Sequence, residues 1–131
     1  MFEDADLIHS YTRAEALADG TLIDVSETAR EAGFRVPVAL TRAAWFDCVA
    51  WTAEDSQRVV HQDEAGRLWD VLWMARITAK QGPNESRLSF PVLRVPRDST
   101  NGAPVRVLLL MDIGPGDEGE PVMTIGFAED F

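Results

Sequence analysis

The chain is poor in the residues that most often carry chemistry. It has one cysteine, Cys48, two histidines, His9 and His61, and one tyrosine, Tyr11. A single cysteine excludes an internal disulfide and any cysteine-rich zinc site. Cys48 lies between Asp47 and Val49 on an apolar helix face, which predicts a buried structural thiol rather than a catalytic one. His61-Gln62-Asp63-Glu64 has no second imidazole nearby to share a metal, so it reads as a solvated loop. No metal and no cofactor is expected.

Positive charge is also scarce. Twelve Lys and Arg stand against 22 Asp and Glu, giving a net charge of -10. Such a surface repels a nucleic acid backbone and argues against unaided binding to one, whereas it suits a basic protein partner. Long apolar runs are missing. Val107–Met111 is the longest and has strand length, far short of the roughly 20 residues a membrane helix needs. The first residues, Met1-Phe2-Glu3-Asp4-Ala5-Asp6, are acidic where a signal peptide would be basic. A soluble cytoplasmic protein is expected. With 131 residues, 46% apolar and 26% charged, residues 1–131 suit one compact domain rather than a disordered chain.

What is present is a tryptophan-rich centre. Residues 36–73 hold Trp45, Trp51, Trp69 and Trp73, and this stretch reads as the middle of the core. Before it comes a series of short capped elements. Leu7–Tyr11 favours a strand; Thr12 and Glu15 form a capping-box pattern for a helix that stops at Gly20. Leu22, Ile23 and Val25 suggest a strand or extended turn, and Ser26 is placed to cap a helix over 27–32. Thr41 starts a helix over 42–51 with Ala44, Cys48 and Trp51 on one face, and Thr52 starts another. His61–Gly66 reads as loop.

The clearest helix is Arg67–Lys80, with a Leu68, Leu72, Ala75, Ala79 stripe widened by Val71 and Met74. Gly82-Pro83-Asn84 ends it. Three strands follow. Leu88–Val95 carries Pro91 and so favours an edge; Val105–Ile113 reads as buried on both faces around Val107–Met111; Val122–Phe127 closes the set. The class is α+β: short capped N-terminal elements, Trp-rich helices, and a C-terminal antiparallel β-meander packed on a helix.

Charge is unevenly spread. Between residues 76 and 106, Arg76, Lys80, Arg87, Arg94, Arg97 and Arg106 outnumber Glu85 and Asp98. The last twenty residues hold Asp112, Asp117, Glu118, Glu120, Glu129 and Asp130 and no base. The two regions either attract each other or form separate surfaces. The acidic connection Asp112–Glu120 lacks the spacing of a calcium loop and its final bidentate Glu. Its glycines join two strands instead of opening a helix, and no lysine follows, which excludes a phosphate loop. The tryptophans read as core; an exposed Trp45 or Trp73 would instead mark a binding site.

Two resemblances add to this. His9–Gly20 resembles the opening of ADP-ribosyltransferase-like folds, in which a first-strand His helps hold a dinucleotide. That resemblance implies an enzyme with His9, Tyr11 and Glu120 converging on one cleft. The stretches 11–20, 24–34 and 37–45, with Gly66–Met74 and Gly114–Pro121, are similar to a family of small uncharacterised bacterial proteins, a domain of unknown function carried on plasmids, integrated elements and phages. This second resemblance implies a mobile-element accessory protein. The leading expectation is a non-enzymatic interaction module, such as an anti-CRISPR or anti-restriction inhibitor. It would meet a basic nucleic-acid-handling host protein through Asp112, Asp117, Glu118, Glu120, Glu129 and Asp130, with Glu3, Asp4 and Asp6 nearby in charge. The alternatives are the dinucleotide enzyme and a homo-oligomeric plasmid-maintenance protein.

Overall fold

A computed structural model of the chain describes residues 11–131. Its spine is a five-stranded sheet in the order β1-β2-β5-β4-β3. The strands are β1 (Leu22–Asp24), β2 (Val38–Thr41), β3 (Arg87–Arg94), β4 (Val105–Pro115) and β5 (Pro121–Gly126). As the sequence predicts, β3, β4 and β5 form an antiparallel meander, registered by Phe90 opposite Leu109 and Met111 opposite Ile125. The sheet does not stop there. β2 runs parallel to β5, and β1 pairs antiparallel with β2, so the N-terminal third completes the sheet that the C-terminal third begins. The strand expected over Leu7–Tyr11 lies outside the described residues apart from Tyr11.

Helix α1 (Arg13–Asp19) has the expected capping box: Glu15 N–H donates to Thr12 Oγ1 at 3.0 Å and Thr12 N–H to Glu15 Oε1 at 2.9 Å. It ends at Gly20, whose φ of 83° only glycine adopts freely. Helix α2 spans Ser26–Glu31, and Ser26 is not its cap as expected. The Ser26 hydroxyl donates to Asp24 at 2.6 Å and accepts the Val38 N–H at 3.0 Å, so it ties the helix start to β2. The helix expected over 42–51 is one short turn, α3 (Arg42–Ala44), followed by a wide π turn over Trp45–Val49. Helix α4 (Ala53–Arg58) carries a second capping box, Thr52 with Asp55.

The long helix α5 (Glu64–Gln81) begins earlier than the apolar stripe alone suggests. Asp63 caps it by accepting the Gly66 N–H at 2.7 Å, which draws 64–66 out of the expected loop into the first turn. Leu68, Val71, Leu72 and Ala75 face the sheet, where they meet Phe90, Val92, Leu109, Met111, Met123 and Ile125. Fully burying each such side chain contributes about 1.5–3 kcal/mol. Two expectations fail at this core. β4 is buried on one face only: Leu109 and Met111 are buried, but Leu108, next to Leu109, is 53% exposed. The tryptophans are not the centre either. Trp51 is buried and Trp45 half-buried, but Trp69 and Trp73 sit one position off the Leu68–Leu72 stripe and are exposed.

The basic stretch and the acids do attract each other, though mostly not as a basic-to-C-terminal contact. Arg87 pairs with Asp112 at 3.0 Å, while Arg94 pairs with Asp47 at 3.0 Å and Arg97 with Asp55 at 2.9 Å. Among the described residues no helix is long and apolar enough to cross a membrane.

Arg67 is 4% exposed and pairs with no carboxylate among the described residues. Its guanidinium donates to the carbonyls of Val49 (3.1 Å), Val95 (3.0 Å) and Asp47 (3.3 Å) and to Gln62 Oε1 (2.7 Å), and it lies over the Trp51 ring at 4.5 Å. Arg67→Ala orphans several buried carbonyls and should lower unfolding free energy by about 2–4 kcal/mol, read from urea denaturation. Arg67→Lys should recover only part of this, since one ammonium cannot span the fork.

Asp55 predicts the acid limit of the fold. The Thr52 N–H first, then Arg58, the Thr52 hydroxyl and Arg97, hold its carboxyl at about 2 against an ordinary 3.8. The stabilisation is therefore complete above about 3.8 and is lost as pH falls toward about 2. Urea midpoints across that window should fall steeply for the wild type and less steeply for Asp55→Asn.

Candidate functional site

The six carboxylates expected to meet a partner lie on the β4–β5 hairpin and the C-terminal turn, and four of them have intrachain work. Asp112 is paired with Arg87. Asp117 accepts the N–H groups of Arg13 (2.8 Å) and Ala14 (3.0 Å), which are free donors at the start of α1. Those two bonds hold its carboxyl below the ordinary range. Glu120 folds back to accept the Glu118 N–H at 2.9 Å and leaves no room for a side chain at Gly116. Asp130 accepts the Thr41 hydroxyl at 2.7 Å and the Phe127 N–H at 2.8 Å. Glu118 and Glu129 are exposed, and their carboxylates make no bond among the described residues.

Of the dinucleotide trio, His9 lies outside the described residues. The Tyr11 hydroxyl donates to Asp19 and contacts Thr21 at the C-terminal end of α1. Glu120 sits in the turn whose Asp117 binds the N-terminal end of that helix. The structure thus engages Tyr11 and Glu120 at opposite ends of α1. Glu3, Asp4 and Asp6 also lie outside the described residues.

Cys48 is buried, and burial first, with Asp47 beside it, pushes its thiol up to about 12. His61 is exposed in the segment before α5. Among the described residues no group of three or more His, Cys, Asp or Glu is placed to hold a metal ion.

A concave, largely apolar surface lies elsewhere. It is a groove of about 430 Å³ beside α5 and β3, walled by Trp73, Met74, Pro91, Val92 and Leu93, with Asp70 of α5 and Arg106 of β4 also in its lining. β3 is an edge strand of the sheet, so this side of the groove is open. Trp73 is 46% exposed and Trp69 37%, and their rings stack at 5.8 Å and 15°. The spacing explains the pair: residues four apart on a helix are neighbours. Leu93 and Leu108, both more than half exposed, extend the apolar surface onto the opposite face of the sheet. Asp70 makes neither a hydrogen bond nor an ion pair among the described residues. Partial desolvation raises its pKa, against the attraction of Arg67. Sequence reasoning flagged Trp73 as a residue to watch, but missed Trp69, Asp70 and Arg106. The available signal was their position: Trp69 and Trp73 are four apart and off the apolar stripe.

The chain belongs to a family of unknown function, DUF6573, whose sequence model matches residues 1–131. No curated protein and no solved structure matches it.

The thiol provides a check on the interior. At pH 8 Cys48 should not react with Ellman's reagent in the native protein and should react fully in urea. Fast native labelling would mean that the π turn opens.

Proposed function

We propose that this protein is a non-enzymatic interaction module that grips a basic protein partner through the exposed face of α5. One observation carries the reading: two stacked indoles stand exposed beside an open apolar groove. Clustered exposed aromatics are where binding energy concentrates in protein interfaces. Indoles suit this work because each buries a large rigid surface at little entropic cost.

The net charge of -10 supports a basic partner. Its long-range field speeds encounter without fixing the contact, so steering and grip are separate properties of the surface. Glu118 and Glu129 belong to the steering charge, because their carboxylates are free among the described residues. Asp117 and Glu120 are poor test positions, because their replacement disturbs the α1 start and the β4–β5 turn.

The mobile-element setting implied by the sequence resemblance suggests which basic protein. Nucleic-acid-handling enzymes of host defence, including CRISPR and restriction components, present basic surfaces that an acidic cytoplasmic protein can occupy.

Tagged protein should capture a basic nucleic-acid-handling protein from host lysate at low salt, identified by mass spectrometry, and lose it at high salt. Trp69→Ala with Trp73→Ala should abolish capture. Glu118→Lys with Glu129→Lys should weaken it while leaving the fold intact. Equal capture by the tryptophan variant would refute the α5 face as the grip.

A further inference from the structure

We infer that the α5–β3 groove is a receptor for a cationic side chain, lysine or arginine, carried by an extended basic segment of the protein partner. This deepens the reading of the α5 face as the gripping surface and rests on it.

The residues form one compact set. Asp70 and Trp73 are three apart on α5, Asp70 and Met74 four apart, and Trp69 and Trp73 four apart, so all four share a side of the helix. Asp70 is the one acid among the residues that line the groove, and its carboxylate is unpaired among the described residues. Asp70 is exposed and accessible to a partner, and its apolar neighbours desolvate it enough to raise its pKa, against the attraction of Arg67. A cation would pair with it through a charge-assisted hydrogen bond. The exposed Trp73 ring offers the same cation a π face, and the methylene stem of lysine or arginine would cover Met74 and Val92.

The fold already uses this chemistry once. Arg67 lies over Trp51 with its ring 4.5 Å from the guanidinium carbon. The outer groove repeats the aromatic wall, and among the described residues no cation lies over its indole. Its volume of about 430 Å³ lies within the ~300–1,000 Å³ typical of small-ligand clefts and admits a side chain with its flanking backbone.

Charge decides the occupant. An anion would have Arg106 to meet but would face Asp70 and an overall charge of -10. A second copy of this chain brings the same net charge and is repelled. A basic segment is attracted by the whole molecule and paired locally at Asp70. Arg106, on the β4 side, repels a second cation.

The four indole N–H resonances provide the test. Uniformly ¹⁵N-labelled protein is titrated with hexalysine and hexaarginine peptides, and in parallel with hexaglutamate and with the uncharged apolar peptide acetyl-Leu-Trp-Leu-amide. The basic peptides should shift the Trp73 and Trp69 indole signals saturably at millimolar concentration or below, with the buried Trp51 signal unmoved. Asp70→Asn, its spectrum otherwise unchanged, should weaken that binding at least about fivefold. No saturable shift with either basic peptide, or a shift indifferent to Asp70→Asn, overturns the cation receptor. If the apolar peptide alone moves Trp73, the cation is refuted and the gripping face survives. Loss of the face itself is read separately, from unchanged partner capture by the tryptophan variant.

Discussion

The guanidinium of Arg67 is the fastening on which the irregular half of this structure depends. Residues 45–62 contain a wide π turn, a short helix and connecting coil, and none of these closes its own hydrogen bonds completely. Arg67 reaches from the first turns of α5 to the carbonyls of Asp47 and Val49 at the end of that turn, to Gln62, and to Val95 just past β3. One planar fork therefore joins three chain segments. A buried charge without an ion pair is costly unless its donors are satisfied and its face is covered. Here carbonyl dipoles do the first and the Trp51 ring the second. The same contact fixes the rotation of α5 on the sheet. That rotation sends Leu68, Val71 and Leu72 inward and leaves Trp69, Asp70 and Trp73 outside.

The acidic character of the chain is less a single surface than a set of local solutions. Asp55 closes the cap of α4 and holds Arg58 and Arg97; Asp47 holds Arg94; Asp117 covers the open donors of α1; Asp130 pins the C-terminal turn to Thr41. These acids act at short range in fixed geometry, where hydrogen bonding dominates over the mean field. The remaining exposed carboxylates set the net charge and the long-range field. That division explains why a count of acids predicts encounter with a basic partner but does not locate the contact.

Local rules read well in the sequence. The capping boxes at Thr12 and Thr52, the stop at Gly20, the long helix, Pro91 on an edge strand and the antiparallel meander all follow from residues close together in the chain. Most of the misreadings depend on residues far away; the tryptophans, misread for want of helical phase, are the exception. No strand is expected at β2 from its own residues, because its parallel partner, β5, lies more than eighty residues on. The run Val107–Met111 looked doubly buried because nothing in it says that helices cover only one face. Ser26 looked like a cap until Val38 claimed its hydroxyl. The tryptophans looked like core because composition, unlike helical phase, does not distinguish position 68 from 69.

That last distinction bears on function. A stacked Trp pair four residues apart stabilises a helix by about 0.2–0.5 kcal/mol, which an ordinary ion pair would match without exposing apolar surface. The pair therefore needs a reason beyond α5 itself. Each indole leaves a large part of its surface in water, and covering that surface in a complex would contribute about 2–3 kcal/mol per ring at the usual area coefficient. The gain on association exceeds the gain within the helix several-fold. The neighbouring carboxylate sharpens the point. Asp70 is exposed yet partly desolvated, and it makes no ion pair among the described residues. In the proposed complex it would gain a cationic partner.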